Sequence, residues 1–136
     1  MKNLLNTVLA ILLVAFNNSD ALTKPRTNEL QECIVKTHCV LVNWKVIEVG
    51  STYNNLATAV DNTPRTEIIE QNNSYIHAEA TTKWLHYVDD LEIKALPDQY
   101  IIQIRSESRV GIGDNGVNQK RVDNLLNSLE KIQTNK

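Results

Sequence analysis

The sequence predicts an α+β fold: an antiparallel β-meander of about four strands, with a C-terminal helix and a short N-terminal helix packed on one face. Apolar and polar residues alternate in three neighbouring runs, at 76–83, 90–95 and 102–109, which is the period of half-buried strands. Residues 117–132 instead repeat apolar side chains at helical spacing. Because such a helix must bury its stripe, the apolar face of the meander is its expected partner.

The first 21 residues have the features of a signal peptide. Lys2 precedes an apolar run, Leu4 to Phe16, and the small residues Ser19 and Ala21 predict cleavage after Ala21. An uncleaved anchor helix is the alternative, although a run of about 13 residues reaches only about 20 Å of a roughly 30 Å hydrocarbon core. We therefore expect an exported protein, periplasmic or secreted, or lying in the thylakoid lumen if its source is photosynthetic.

The mature chain is predicted to comprise a linker at 22–32, which contains Pro25 and lacks periodicity, and a single domain at 33–132. Loss of the leader removes Lys2 and Asp20, so the net charge stays at −2. This balance gives no reason to expect nucleic-acid binding. No later stretch is apolar enough to form a stable membrane span, so we expect the mature protein to be soluble.

Two cysteines, Cys33 and Cys39, are the only ones in the sequence, and export would expose them to oxidising conditions, which predicts a disulfide. A metal site that includes the intervening His38 is the alternative, but these three ligands do not complete a tetrahedral site. The spacing of the two cysteines is also wider than that of the reactive C-x-x-C dithiols.

Other elements follow from local composition. Residues 39–49 are rich in Val and Ile around Trp44, which favours a strand. Ser51 is a candidate N-cap of a short helix that Pro64 ends. Residues 66–70 indicate a brief strand, and Pro97 marks a turn within the meander.

The polar face of the predicted sheet gathers acids, bases and a histidine. Its members are His77, Glu79, Asp90, Glu92, Arg105, Glu107 and Arg109. Such a group can transfer protons or bind a divalent metal, but a solvated sheet face also carries opposite charges that pair across strands.

The sequence contains no known catalytic motif that would support proton transfer or metal binding by this polar face. His77-x-Glu79 lacks the Pro-Cys-x-x-Cys of the zinc deaminases. No G-x-S-x-G surrounds Ser106 or Ser108. We predict no catalytic residue, no metal site and no cofactor.

Gly111, Gly113 and Gly116 form a G-x-G-x-x-G between the last strand and the last helix. In dinucleotide-binding proteins this pattern brings a pyrophosphate to a helix start, but it also needs a second parallel strand with an acid about 20 residues on. Here the final helix takes up the residues after the turn, and Asp114 lies inside the loop. We therefore do not predict a dinucleotide.

The turn is also a candidate site for a smaller anion, such as a phosphate or a carboxylate. The helix start offers unpaired N–H groups with a partial positive charge, and four basic residues surround the turn, Arg105, Arg109, Lys120 and Arg121. The alternative is that Asp114 and Asn118 cap the helix, while the arginines pair with Glu107 and Glu79.

The same residues carry a resemblance. The motifs, in order, are Tyr75-Ile76-His77-Ala78-Glu79, Val88-Asp89-Asp90, Ile104-Arg105-Ser106-Glu107-Ser108-Arg109-Val110-Gly111, and Asp114 with Gly116-Val117-Asn118 and Arg121. From about Cys33 to Leu129 the chain resembles domain of unknown function family 1499, exported or organelle-associated proteins of bacteria and photosynthetic organisms. The resemblance implies that Cys33 and Cys39 correspond to the paired cysteines of the family, and it implies no established activity.

The chain departs from the family in the cysteine segment. Where such proteins usually have proline and small polar residues, this chain has Ile34, Val35 and Val40-Leu41-Val42. A function of that loop in relatives therefore does not transfer to this chain.

We interpret the protein as a non-enzymatic accessory or binding domain, with a small-anion-binding enzyme or hydrolase as the alternative. The expected ligand is a protein partner or a small anion. The predicted surface comprises His77, Glu79, Asp89, Asp90, Arg105, Ser106, Ser108, Arg109, Asp114, Asn118 and Arg121.

Overall fold

The computed structural model describes residues 28–111 and 113–134, which form one antiparallel sheet and two helices. The strands are β1 (Cys39–Lys45), β2 (Thr66–Gln71), β3 (Tyr75–Thr81), β4 (Val88–Leu96) and β5 (Ile101–Ser108). The helices are α1 (Val49–Asp61) and α2 (Val117–Thr134). The predicted α+β class is confirmed, with five strands where about four were predicted. The predicted signal peptide and residues 22–27 of the predicted linker lie outside the described residues.

The strands lie in the order β1-β5-β4-β3-β2, and every neighbouring pair is antiparallel. Strands β2 to β5 form the predicted meander, and a short 3₁₀ turn at Pro97–Gln99 connects β4 to β5. Strand β1 joins the far edge beside β5, where Val42 lies opposite Ile104. Composition predicts a strand at this position but contains no information about its neighbour.

Both helices pack on the face of the sheet that alternation marks as apolar. The buried sheet residues are Ile76, Ala78, Leu91, Ile93, Ala95, Ile102 and Ile104, and the helices add Val49, Tyr53, Leu56, Val60, Val122, Leu125 and Leu129. The predicted two-layer packing is therefore confirmed. The side chain of Ile132, the last residue of the predicted stripe, lies outside the described residues.

The helix starts differ from those predicted. Helix α1 begins at Val49, and Ser51 lies within its first turn with its hydroxyl donating to the carbonyl of Glu48. The predicted cap at Ser51 is wrong because Val49 is buried in the core, so packing rather than a side-chain cap fixes this end.

Cys33 and Cys39 form the predicted disulfide, beside the part of the chain that leads into β1. Within the predicted linker, Leu30 is buried and its N–H donates to Oε1 of Gln103 at 2.7 Å. The described end of the linker is thus fastened to the sheet. Across residues 28–111 and 113–134, neither helix is long and apolar enough to cross a bilayer.

Candidate functional site

The predicted site residues divide between the two faces of the sheet, because successive side chains of a strand point to opposite sides. Asp89 and Asp90 are neighbours in β4 and show this division: Asp89 points towards the helices and is 1% exposed, while Asp90 points away and is partly exposed. We call the side away from the helices the open face. Its predicted members are His77, Glu79, Asp90, Arg105 and Arg109.

On the open face Arg109 holds two carboxylates. Its Nε and Nη2 donate to Oδ2 and Oδ1 of Asp90 at 2.8 and 2.7 Å, and Nη2 also donates to Oε1 of Glu79 at 2.5 Å. His77 Nε2 donates to Oδ1 of Asp90 at 2.7 Å. A bidentate contact of this kind fixes the planes of both groups.

A second group of ion pairs lies beside the first. Arg105 donates to Oε2 of Glu92 at 3.0 Å and to Glu107 on its own strand. The hydroxyl of Tyr75 donates to the other oxygen of Glu92 at 2.7 Å. Sequence analysis places Tyr75 in a family motif but not in the predicted surface, because alternation does not distinguish a tyrosine that bonds through its hydroxyl from any other aromatic residue in a strand.

These contacts shift the pKa values of Asp90 and Tyr75. The hydrogen bonds from Arg109 are the largest cause that lowers the pKa of Asp90, to about 2, with His77 adding to the effect against a partial desolvation. Burial, followed by the neighbouring Glu92 carboxylate, raises the pKa of Tyr75. A carboxylate that stays ionised to about pH 2 is a weak proton acceptor at neutral pH, so Asp90 is suited to ion pairing rather than acid–base catalysis.

Replacing Asp90 by asparagine should therefore make the fold less sensitive to acid. The pKa of Asp90 is lower in the folded protein than the ordinary value of 3.8, so its contribution is complete above about pH 4 and is lost as the pH falls towards 2. We expect Asp90→Asn to lower the free energy of unfolding by about 1 kcal/mol at pH 6, and by less at pH 2.5. Urea denaturation at both pH values measures this.

The control for this comparison is Asp98→Asn, which removes an exposed carboxylate in the turn between β4 and β5. It should change the unfolding free energy little at either pH. An Asp90→Asn deficit of the same size at pH 6 and pH 2.5 would show that the loss is not due to the ionised carboxylate.

On the helix side of the sheet, the other predicted residues form a hydrogen-bonded cluster that we call the buried network. Its members are Asp89, Ser106, Ser108, Asn118 and Arg121. Arg121 of α2 donates through Nη2 to Oδ2 of Asp89 at 2.7 Å, and through Nη1 to Oγ of Ser106 at 2.8 Å. Nη1 also donates to Oδ1 of Asn118 at 2.7 Å. One guanidinium thus joins α2 to β4 and β5.

Asn118 extends the buried network to the segment before β1. Its Nδ2 donates to Oγ of Ser108 at 2.9 Å and to the carbonyl of His38 at 3.0 Å. Its Oδ1 accepts the hydroxyl of Ser106 at 2.6 Å. Because both serine hydroxyls are buried and hydrogen-bonded, neither is placed to attack a substrate. The arrangement fastens α2 to the sheet.

The glycine turn is closed by Asp114. Its Oδ1 and Oδ2 accept the N–H groups of Gly116 and Asn118 at 2.9 and 2.8 Å. Burial opposes ionisation of Asp114, but these N–H donors outweigh it and lower its pKa. Gly111 and Gly116 have φ values of 104° and 77°, which glycine adopts readily. Asp114 thus caps α2, whereas Asn118, the other predicted cap, lies inside the helix.

This geometry corrects the predicted anion site. Arg105 and Arg109 extend from the open face, whereas Arg121 and the start of α2 lie on the helix side, so the basic residues do not converge. The structure instead matches part of the alternative: Asp114 accepts N–H groups at the helix start, and Arg105 and Arg109 bond to Glu107 and Glu79, whereas Asn118 does not act as a cap.

The motifs that carry the family resemblance are therefore the ones that build the buried network and the ion pairs of the open face. No curated protein matches the chain. The family model described as "Protein of unknown function (DUF1499)" matches residues 22–129. The chain belongs to this family.

Proposed function

We propose that the protein is a non-enzymatic binding domain of an exported compartment, and that its open face binds a basic surface of a partner protein. One observation carries the proposal: the open face has an excess of negative charge. Its acids are Glu67, Glu70, Glu79, Asp90, Glu92 and Glu107, and its bases are Lys45, Lys94, Arg105 and Arg109.

The arrangement of these charges suits binding. All five strands, with Arg109 directly after β5, present them side by side, and the ion pairs of Arg105 and Arg109 hold several of the carboxylates in fixed positions. A preorganised surface loses less conformational entropy on association. Complementary charge then supplies specificity and a fast encounter with a partner.

Glu67 and Glu70 are the accessible part of this charge. Both are exposed on β2, at one edge of the sheet. The segment that contains Leu30 contacts the open face near the other edge, at Gln103 of β5. A basic partner can therefore approach across β2 and β3. The Cys33–Cys39 disulfide and the predicted leader favour an oxidising compartment for this encounter.

The alternative, a small-anion-binding enzyme or hydrolase, has less support. Each arginine expected to bind the anion already donates to carboxylates: Arg105 to Glu92 and Glu107, and Arg109 to Glu79 and Asp90. An incoming anion would have to displace a carboxylate that is tethered beside its arginine.

Reversing charge at the β2 edge should abolish partner binding. We expect Glu67→Lys/Glu70→Lys to recover at least tenfold less of a basic, stoichiometric partner from the native exported fraction at 50 mM salt, because two attractive contacts become repulsive. Recovery by the unchanged protein should fall as the salt is raised to 300 mM. Quantitative mass spectrometry of the captured proteins measures both effects.

The matched control is Asp98→Lys/Asp123→Lys, which changes the net charge equally at two exposed positions outside the open face. This variant should capture the partner as the unchanged protein does. Equal losses in both double variants, or a captured partner that is acidic, would count against the open face as the binding surface.

A further inference from the structure

A second surface lies at one end of the sheet. Residues 62–65, before β2, lie at this end, and the antiparallel pairing brings three further loops there. They are residues 33–38 before β1, residues 82–87 between β3 and β4, and residues 109–111 and 113–116 after β5. Because the strands lie in the order β1-β5-β4-β3 and adjacent strands are about 4.8 Å apart, the loops span about 15 Å.

Hydrogen bonds hold these loops in place. The N–H of Ser108 donates to the carbonyl of His38 at 3.0 Å, and the N–H of Arg109 donates to the carbonyl of Val88 at 3.3 Å. The loop between β3 and β4 is closed by Thr82, whose N–H donates to the carbonyl of Tyr87 at 2.9 Å. Each of the three loops is thus fixed by a backbone hydrogen bond at the same end of the sheet.

This end exposes large apolar side chains. Ile34 is 81% exposed, Trp84 80% and Leu85 66%, each on a loop rather than in a strand. We call the whole set the loop tip: Ile34, Val35, Trp84, Leu85, Tyr87, Val110 and Val117. Neighbouring exposed apolar residues of this kind mark a surface that contacts something other than water. Ile34 and Val35 are also the positions where the chain departs from its family.

Lysines border the loop tip. Lys36 and Lys83 lie on two of its loops, and Lys120 lies in the first turn of α2. None of the three forms a salt bridge within residues 28–111 and 113–134. The ammonium of Lys83 lies 4.9 Å from the centre of the Trp84 ring. Within the described residues of these loops the one acid is Asp114, and both of its carboxylate oxygens accept N–H groups at the start of α2. The loop tip is therefore basic as well as apolar.

We propose that the loop tip binds the surface of an anionic lipid bilayer, with Trp84, Leu85 and Ile34 inserted at the boundary between headgroups and acyl chains. Tryptophan and tyrosine favour that boundary, and lysines can extend from it to lipid phosphates. Each lysine near an anionic surface strengthens binding about fivefold. Lysine is depleted at protein–protein interfaces, so the combination of lysines with a tryptophan favours lipid over a protein partner.

The inference is independent of the proposed function, because the loop tip and the β2 edge of the open face are separate surfaces. The loops follow the ends of the strands, whereas the open face lies along their sides. A protein attached to a bilayer by the loop tip would hold its strands upright, with Glu67 near the loop-tip end of β2 and Glu70 about 10 Å further along the strand, accessible to a partner.

The test is binding of the naturally processed protein to vesicles of phosphatidylcholine and phosphatidylglycerol in a 7:3 ratio, measured by co-sedimentation. We expect Trp84→Ala/Leu85→Ala to reduce partitioning at least tenfold. The matched control is Ile47→Ala/Tyr100→Ala, which removes two large exposed side chains outside the loop tip and should leave partitioning unchanged. Lys36→Glu/Lys83→Glu should also reduce binding at least tenfold, and phosphatidylcholine vesicles should bind the unchanged protein weakly.

A second readout reports directly on the loop tip. The sequence has two tryptophans, Trp44 and Trp84, so quenching by brominated phosphatidylglycerol does not respond to insertion of the leader. We expect brominated vesicles to quench the fluorescence of the unchanged protein, and this quenching to be lost in Trp84→Phe.

Three results would overturn the inference. These are unquenched tryptophan fluorescence, equal partitioning of the loop-tip and control variants, or equal binding to charged and uncharged vesicles. A dimer in analytical ultracentrifugation that Trp84→Ala/Leu85→Ala dissociates would instead assign the loop tip to a second copy of the chain.

Discussion

Replacing Arg121 by methionine is expected to destabilise the fold by about 3–5 kcal/mol, because it leaves the Asp89 carboxylate buried without its cation. Asp89 is 1% exposed, so water cannot replace the lost contact without opening the interface between α2 and the sheet. Its Oδ1 already has no hydrogen-bond partner within the described residues, which leaves the carboxylate strongly dependent on Arg121. Urea denaturation followed by circular dichroism measures the loss.

The double variant Asp89→Leu/Arg121→Met separates charge from shape. Removing both members of a buried pair is often nearly neutral, so the double variant should be more stable than Arg121→Met alone. A coupling energy between the two positions near zero would contradict the buried ion pair. Arg121→Lys, which keeps the charge but loses the fork that reaches Ser106 and Asn118, should lie between the unchanged protein and Arg121→Met.

An exposed arginine provides the comparison. Arg109 makes ion pairs on the open face with its side chain 41% exposed, and pairs in such positions contribute about 1 kcal/mol or less. Arg109→Met should therefore be markedly less destabilising than Arg121→Met, although Arg109 contacts two carboxylates and Arg121 contacts one. The difference tests whether burial, rather than the number of pairs, decides the energetic role of an arginine in this fold.

The architecture was predictable from sequence because the period-2 alternation of three runs is a local property. It assigns Ile76, Ile93 and Ile104 to the core and Glu79, Asp90 and Arg105 to the opposite side, and the structure has them there. The terminal helix was predictable for the same reason, since Val122, Leu125 and Leu129 repeat at helical spacing.

The candidate site was less predictable because its assembly depends on contacts distant in sequence. Asp89 and Arg121 are 32 residues apart, and neither residue's spacing indicates that the other will neutralise it. Sequence analysis therefore grouped Arg121 with Arg105 and Arg109 as a single basic cluster, although a sheet lies between them. The position of β1 beside β5 was undetermined for the same reason.

Side-chain alternation also does not predict which loop residues are exposed. Trp84 and Leu85 follow an alternating run directly, and their exposure follows from the turn that closes between Thr82 and Tyr87. The sequence feature that points to the loop tip is the departure from the family at Ile34 and Val35. It can be interpreted only when the strand order is known, because that order places their loop at the same end of the sheet as Trp84.

Truncating Leu129 to alanine is expected to lower the free energy of unfolding by about 2–5 kcal/mol. Leu129 lies in α2 and is 1% exposed against the core, so the change removes buried methyl groups and leaves a cavity that the sheet cannot collapse to fill. The midpoint of urea denaturation should fall while its slope stays constant, as expected for a loss of stability without a change in the surface exposed on unfolding.

The same substitution at Leu85 is the matched control, because that side chain is 66% exposed on the loop tip. Leu85→Ala should change the free energy of unfolding by no more than about 0.5 kcal/mol. Equal effects at the two positions would mean that α2 does not cover the apolar side of the sheet. The assignment of Asp89 and Arg121 to a buried interface would then fail as well, since the same helix brings Arg121 and Leu129 to the sheet. A large loss at Leu129 alone would instead support α2 as the cover of the core and of the buried network together.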